Sequence, residues 1–326
     1  ANIVFGVPVQ WGMIGFTLFL LAYTVIGGMI AVVYTDFVQL IIMILGVVLA
    51  VPLAIRQVGG VDDLFTYVQA VNPLTFTWEG LPGTLLFTMG LAFLLGSVAT
   101  PEKLIRLYAM KDMPTIRRGV LFSIIVITGV NLLVFILSLA SVVLFPVLPT
   151  GDLAMPMIAR AVLPPTLGAL MLAAITSAMM STVDSLLIVA GSALSYDLYQ
   201  NLVHPGATER QKVRVDRLGI LVVGCIPVVL LLTGVGEGEL VQFIVLLFTA
   251  LMAAAFFMPV VLGVYWKRGT KEGAAAAMVG GVLATFLWKG LGPDTIDPVL
   301  PGFLVSTVLM VGVSLLTKPP PKEALE

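Results

Sequence analysis

Residues 165–192 read Pro-Thr-Leu-Gly-Ala-Leu-Met-Leu-Ala-Ala-Ile-Thr-Ser-Ala-Met-Met-Ser-Thr-Val-Asp-Ser-Leu-Leu-Ile-Val-Ala-Gly-Ser. One acid, no base and a long apolar majority make this a membrane span, since about 20 apolar residues cross a bilayer. At helical spacing Ser177, Ser181, Asp184, Ser185 and Ser192 fall in one stripe about 100° wide, with Thr182 beside it. Hydroxyls, a carboxylate and nearby backbone carbonyls are hard oxygen ligands suited to a hard cation. The stripe has no thiol or imidazole for a transition metal. Small residues and hydroxyls also mediate helix packing, and spacing alone leaves both readings open. Asp184 adds weight to the first, because a carboxylate inside a span needs a cation, a proton or a basic partner. No Lys or Arg lies in the middle of any span, so a cation or proton is expected.

The rest of the chain has the same character. Of 326 residues, 59% are hydrophobic and 11% charged, against about 25% charged in a soluble domain. Nine apolar segments are bounded by polar or Pro/Gly punctuation: 11–30, 37–55, 83–99, 119–144, 165–190, 218–232, 240–265, 273–288 and 302–316. Residues 57–81 are too polar to span, and 61–71 reads as a short surface helix. The whole chain, 1–326, is read as a single transmembrane domain. It opens at Ala1 with a span already at residue 11, which reads as a protein truncated at its N-terminus.

Basic residues orient the spans. Lys103, Arg106, Lys111, Arg117 and Arg118 separate spans three and four, and Arg210, Lys212, Arg214 and Arg217 separate five and six. Lys267, Arg268 and Lys271 separate seven and eight, and Lys318 and Lys322 follow span nine. These are 14 of the 17 basic residues. The other faces hold Arg56, Arg160 and Lys289 beside Asp62, Asp63, Glu237, Glu239, Asp294 and Asp297. The alternation supports nine spans, an outside start and a cytoplasmic C-terminus.

Composition also excludes functions. A net charge of −1 argues against nucleic acid. Cys225 is the single cysteine, so it forms no internal disulfide, and His204 is the single histidine, in a polar loop, so histidine metal clusters and Ser-His-Asp triads are nearly excluded. With no paired catalytic group or phosphate loop in view, the chain is not read as an enzyme.

Other intramembrane polar residues carry two readings each. Asp36, in Tyr34-Thr35-Asp36-Phe37-Val38-Gln39, is a helix N-cap, a functional carboxylate, or both. The third span holds Gly90, Gly96 and Ser97 before Thr100-Pro101. It reads as a helix opened at a midplane site or as a kink near its basic end. Gln242, Thr128 and Asn131 are interhelical glue unless something brings them together.

These residues carry a family resemblance. Gly27-Gly28 followed by Thr35-Asp36 and Gln39, Pro101 with Arg106, and the segment 172–187 followed by Gly191-Ser192 and Tyr196-Asp197-Leu198-Tyr199 are similar to motifs of the sodium/solute symporters. So are Pro259 to Gly263, Tyr265-Trp266-Lys267-Arg268 and Gly273-Ala274. That family includes proline, pantothenate and sugar carriers.

The resemblance implies an all-α polytopic membrane protein with the leucine-transporter-type inverted-repeat fold. The nine spans would be core helices four to ten plus two more, the earlier helices being absent. It implies alternating-access symport of a small organic solute with Na+, in a bacterial inner membrane. One sodium would be held by the Ala178 carbonyl and the Ser181 and Thr182 hydroxyls, with further ligands from the absent first core helix. A second would be held by Asp36, Ser181 and Ser185, with Asp184 standing where other members carry a hydroxyl. Phe93, Ser97 and Gln242 would meet the solute. Ser97 departs from the proline-carrier pattern, and Leu163-Pro164-Pro165 resembles pantothenate carriers, so the solute is a carboxylate, amino acid or pantothenate-like molecule. The alternatives are a proton-coupled carrier using Asp184 or Asp36, and a symporter-like sensor domain.

Overall fold

The computed structural model describes residues 7–77, 79–234 and 241–320. Glu237, Glu239, Leu240, Lys322 and the rest of the C-terminal tail lie outside the described residues. All regular structure among the described residues is helical.

Among the described residues, eight helices are long and apolar enough to cross a membrane. The first, Val9–Val58, holds two of the nine expected segments. Its 50 residues would rise about 75 Å if straight, far beyond a ~30 Å bilayer core. Gly28, with φ 60° and ψ −162°, is the one non-helical residue inside it and divides it in two. A side chain is disfavoured at that φ, so glycine is what permits the division. The sequence placed the break at 31–36. The structure moves it to Gly28, which leaves Asp36 in the interior of a helix rather than capping one.

The third span, Gly83–Ala99, runs unbroken through Gly90 and Gly96. The interruption comes at Thr100, whose extended ψ of 123° is what a residue before Pro101 favours. The second helix, Pro101–Tyr108, begins there. The reading of an opened helix at a midplane site is therefore not the one the structure takes. Val61–Val71 forms the short helix expected of that stretch.

Helix starts fall into two kinds. Pro8, Pro82, Pro164 and Pro298 precede four of the long helices. Proline pre-sets φ for entry and has no N–H to satisfy. Asp112, Thr208 and Thr270 precede the three helices between them and accept from backbone N–H groups of Thr115, Gln211 and Gly273. Each of the three side-chain caps stands within two residues of a basic one in the sequence, Asp112 by Lys111, Thr208 by Arg210 and Thr270 by Lys271.

The helices form two compact units. In the first, residues 1–73 and 111–238, the Pro165–Ser192 helix lies along Val9–Val58. Val47, Ala50, Val51 and Ala54 form its core with Leu64, Leu137, Ala140, Ile158 and Met171, and Leu20, Leu21, Leu187 and Ile220 form a second cluster. Gly46 approaches so near that a Cβ built on it would sit 2.6 Å from the Ala174 Cβ. Beyond Ser192 the chain continues as a wider π-helix, Ala193–Val203.

In the second unit, residues 74–110 and 239–326, Lys271–Leu291 pairs with Val299–Leu316, and Gly83–Ala99 packs on Val241–Met252. Ala92, Leu95, Ala250, Ala253 and Val299 form its core. A π-turn, Ala253–Phe257, precedes Pro259. Proline at that position removes a ladder hydrogen bond and crowds the carbonyl four residues back, which a wider turn relieves.

Lipid tails are as apolar as the helices, so close packing holds such helices together more than apolar burial does. Gly46→Ala should therefore cost about 1–3 kcal/mol by overpacking. Gly129→Ala, where an added Cβ meets nothing within 4 Å, should be neutral or slightly stabilising. Thermal unfolding of the two variants in detergent checks the contrast.

Candidate functional site

The expected ion ligands all lie in the first unit, and three of them converge. Ser181 Oγ donates to the Ala178 carbonyl at 3.1 Å, and Thr182 Oγ1 donates to the same carbonyl at 3.3 Å. Helical spacing produces this, because hydroxyls at i+3 and i+4 reach back to the carbonyl of residue i. Three hard oxygens are thereby gathered on one turn, with Thr182 exposed and Ser181 partly so. Ser185 is buried on the next turn, and its Oγ donates to the Ser181 carbonyl at 2.7 Å.

Asp184 is fully buried. The Tyr23 hydroxyl donates to its Oδ2, and Thr24 Oγ1 donates to its Oδ1 at 2.9 Å. The sequence argument looked for a cation, a proton or a basic partner. The structure adds two neutral donors on adjacent residues of the Val9–Val58 helix, just before Gly28. Gln39 and Asp36 also lie near enough to the Tyr23 hydroxyl to influence it. Gln39 is buried, and its Oε1 has no hydrogen-bond partner among the described residues. Tyr23, Thr24 and Gln39 are the residues that sequence reasoning missed. A hydroxyl in an apolar run looks like packing until its partner, 160 residues away for Thr24, is known.

This donor set fits an alkali cation. Carbonyl, hydroxyl, amide and carboxylate oxygens are hard ligands. No group of three or more His, Cys, Asp or Glu able to hold a metal occurs among the described residues.

The expected solute residues lie in the second unit. Gln242 lines a cavity of ≈ 460 Å³ with Leu85, Met89, Trp288, Lys289 and Asp297, a volume in the usual range for small-molecule sites. Its wall is pinned by three hydrogen bonds: Thr84 Oγ1 to the Thr295 carbonyl at 3.0 Å, Asp297 N to Thr88 Oγ1 at 3.0 Å, and Trp288 Nε1 to the Ile296 carbonyl at 3.1 Å. Burial pushes the Asp297 carboxyl above its ordinary range, opposed by the Val299 N–H and by Lys289. Phe93 and Ser97 are exposed on one face of Gly83–Ala99 and are not among the residues lining this cavity.

The sodium:solute symporter family model matches residues 2–281. The osmoregulated proline transporter OpuE of Bacillus subtilis is 32% identical over 327 residues, spanning 98% of this chain and 65% of its own length. A sodium/pantothenate symporter of Haemophilus influenzae is 29% identical, over 88% of this chain and 60% of its own. This chain thus spans less than two thirds of either relative. Among solved structures, a Na+-coupled sialic acid symporter in a substrate-bound, outward-open state aligns with a TM-score of 0.79 at 22% identity. It matches 98% of this chain and covers 69% of its own, and is described as revealing a novel Na+ site. That likeness shows the fold to be of the leucine-transporter type.

Two measurements test the geometry. Removing one donor from a buried charged acceptor costs about 1–3 kcal/mol. Thr24→Val should therefore destabilise the protein, and Asp184→Ser should relieve part of that loss. A double-mutant cycle in thermal unfolding should give a coupling of at least ~0.5 kcal/mol. Separately, burial makes Asp297 hold its proton more tightly in the folded protein than an ordinary Asp carboxyl does. Its contribution is present at low pH and is lost as pH rises through the folded value. Asp297→Asn should flatten that part of the stability–pH curve.

Proposed function

The chain belongs to the sodium:solute symporter family and is an integral, multi-pass membrane protein; on that premise we propose that the whole protein carries a small organic solute across the membrane with sodium. The convergence of the Ala178 carbonyl with the Ser181 and Thr182 hydroxyls is the observation that supports this best. Asp36, Ser181 and Ser185 serve a second cation, and the buried Gln39 Oε1 is an additional hard oxygen beside Asp36 and Tyr23. The two units work as one transporter domain, in a bacterial inner membrane, with the C-terminus in the cytoplasm.

Coupling follows from linkage. A cation bound more tightly by the outward-open state shifts the population toward it, and the solute must improve sodium binding by the same factor. The membrane potential adds about 2.3 kcal/mol per charge per 100 mV.

The solute is a small carboxylate of the amino acid or pantothenate kind, as the names of the relatives suggest. Gln242 offers it an amide at the cavity, whereas Phe93 and Ser97 lie outside that cavity and are solute contacts only on the family resemblance.

The test is uptake by the full-length protein in proteoliposomes under imposed sodium, proton or potassium gradients. Proline, pantothenate and sugars form the panel. Sodium-driven uptake of one solute is expected. Ser181→Ala should raise the half-saturating sodium concentration about tenfold or more, since a contact to a charged group is worth ~1.5–3 kcal/mol. Unchanged sodium dependence in that variant would remove the assignment. Uptake driven by protons alone would move the coupling role to Asp184 and Asp36.

A further inference from the structure

The Glu209–Leu232 helix has two faces of different kinds. Lys212, Gly219, Ile220 and Gly224 are buried on the inner face. Lys212 pairs with Glu209, lies 5.0 Å from the centre of the Tyr196 ring, and offers its carbonyl to Ser195 Oγ at 2.6 Å. Asp216 turns its carboxylate toward Gly191 on the Pro165–Ser192 helix. Glu209 is thus engaged by Lys212, and Asp216 lies near both Gly191 and Arg217.

The outer face begins with Arg210, Arg214 and Arg217, all exposed. At 100° per residue they share a sector about 60° wide and span about 10 Å of helix axis. None of the three forms an ion pair with a described residue. One turn beyond Arg217, and about 40° round from it, a set of exposed apolar residues begins at Leu221 and winds away from the arginine sector. Leu221, Val222, Cys225, Ile226, Val229 and Leu230 line a shallow apolar groove of ≈ 480 Å³.

Three unpaired guanidiniums at the mouth of an apolar groove are complementary to a molecule with an anionic head and a hydrocarbon tail. Guanidinium binds phosphate with paired, charge-assisted hydrogen bonds. Basic residues beside a membrane span attract anionic headgroups. We propose that this face binds an anionic phospholipid, its phosphate on Arg210, Arg214 and Arg217 and an acyl chain along the groove from Leu221 to Leu230. A second copy of the chain is the competing occupant. A two-fold axis along the membrane normal would bring both sets of arginines to one depth, like charge against like, which opposes it.

The test uses the full-length protein purified in mild detergent. Native mass spectrometry reads retained lipid after incubation with equal amounts of phosphatidylglycerol and phosphatidylcholine. Preferential retention of phosphatidylglycerol is expected, falling about fivefold for each arginine changed to glutamine and on the order of 100-fold for R210Q/R214Q/R217Q. R117Q/R118Q removes two exposed charges from a different helix and should leave retention unchanged. Equal retention of the two lipids by the unaltered protein overturns the proposal, as does an equal loss in the R117Q/R118Q control. Cys225 lies on the same exposed face. Efficient oxidative cross-linking of two copies through it in native membranes would assign the face to a protein partner instead.

Discussion

A carboxylate set into an apolar helix has to be held by its surroundings, because hydrocarbon gives it no hydration. Asp184 is held at both oxygens by Tyr23 and Thr24. Because the two donors are adjacent on one helix, gripping both oxygens fixes how the Pro165–Ser192 helix is rotated against the residues before Gly28. That rotation decides which way the Ala178, Ser181 and Thr182 oxygens face, since they sit within two turns of Asp184 on a rigid helix. Gly28 then lets the chain change direction, and the stretch beyond it brings Gln39 and Asp36 to bear on the Tyr23 hydroxyl. One hydrogen-bonded acid thus ties the position of the hard-oxygen cluster to a break in a neighbouring helix.

The remaining contacts serve the same end by other means. Close approach at Gly46 and Ala174 lets the two long helices of the first unit touch backbone to backbone. In the second unit Ser314 Oγ accepts from Thr270 N, and Arg268 donates to the carbonyls of Leu315 and Thr317. These bonds satisfy groups at helix ends that lipid would leave unmet. Both units therefore combine small-residue packing with polar satisfaction, the two terms that remain when the hydrophobic effect no longer distinguishes protein from solvent.

Much of this was legible in the sequence, because hydropathy, basic loops and helix caps are local. The grouping of the Ala178 carbonyl with the Ser181 and Thr182 hydroxyls came from the family resemblance, and the i, i+3 and i+4 spacing is what lets the two hydroxyls reach that carbonyl. What sequence could not supply were long-range partners. Asp184 reads as a carboxylate in search of a cation until Tyr23 and Thr24 are seen to reach it. Asp36 resembles a cap because Thr-Asp ahead of an apolar run is a capping pattern, yet the break falls eight residues earlier, where glycine permits a positive φ. Gly90 and Gly96 looked like openings, but a lone glycine inside a helix costs only about 1 kcal/mol and need not break it. Thr100 before Pro101 was the true interruption.

On the function proposed above, the Ala178 carbonyl with the Ser181 and Thr182 hydroxyls is a helix turn prepared to hold a hard cation, and the Asp184 clasp fixes its azimuth against the neighbouring helix. Equilibrium binding of radioactive sodium to the purified full-length protein, without any gradient, tests this most directly. The account predicts saturable binding that excess potassium does not displace and that Ser181→Ala with Thr182→Val abolishes. Binding that persists unchanged in that double variant would contradict it.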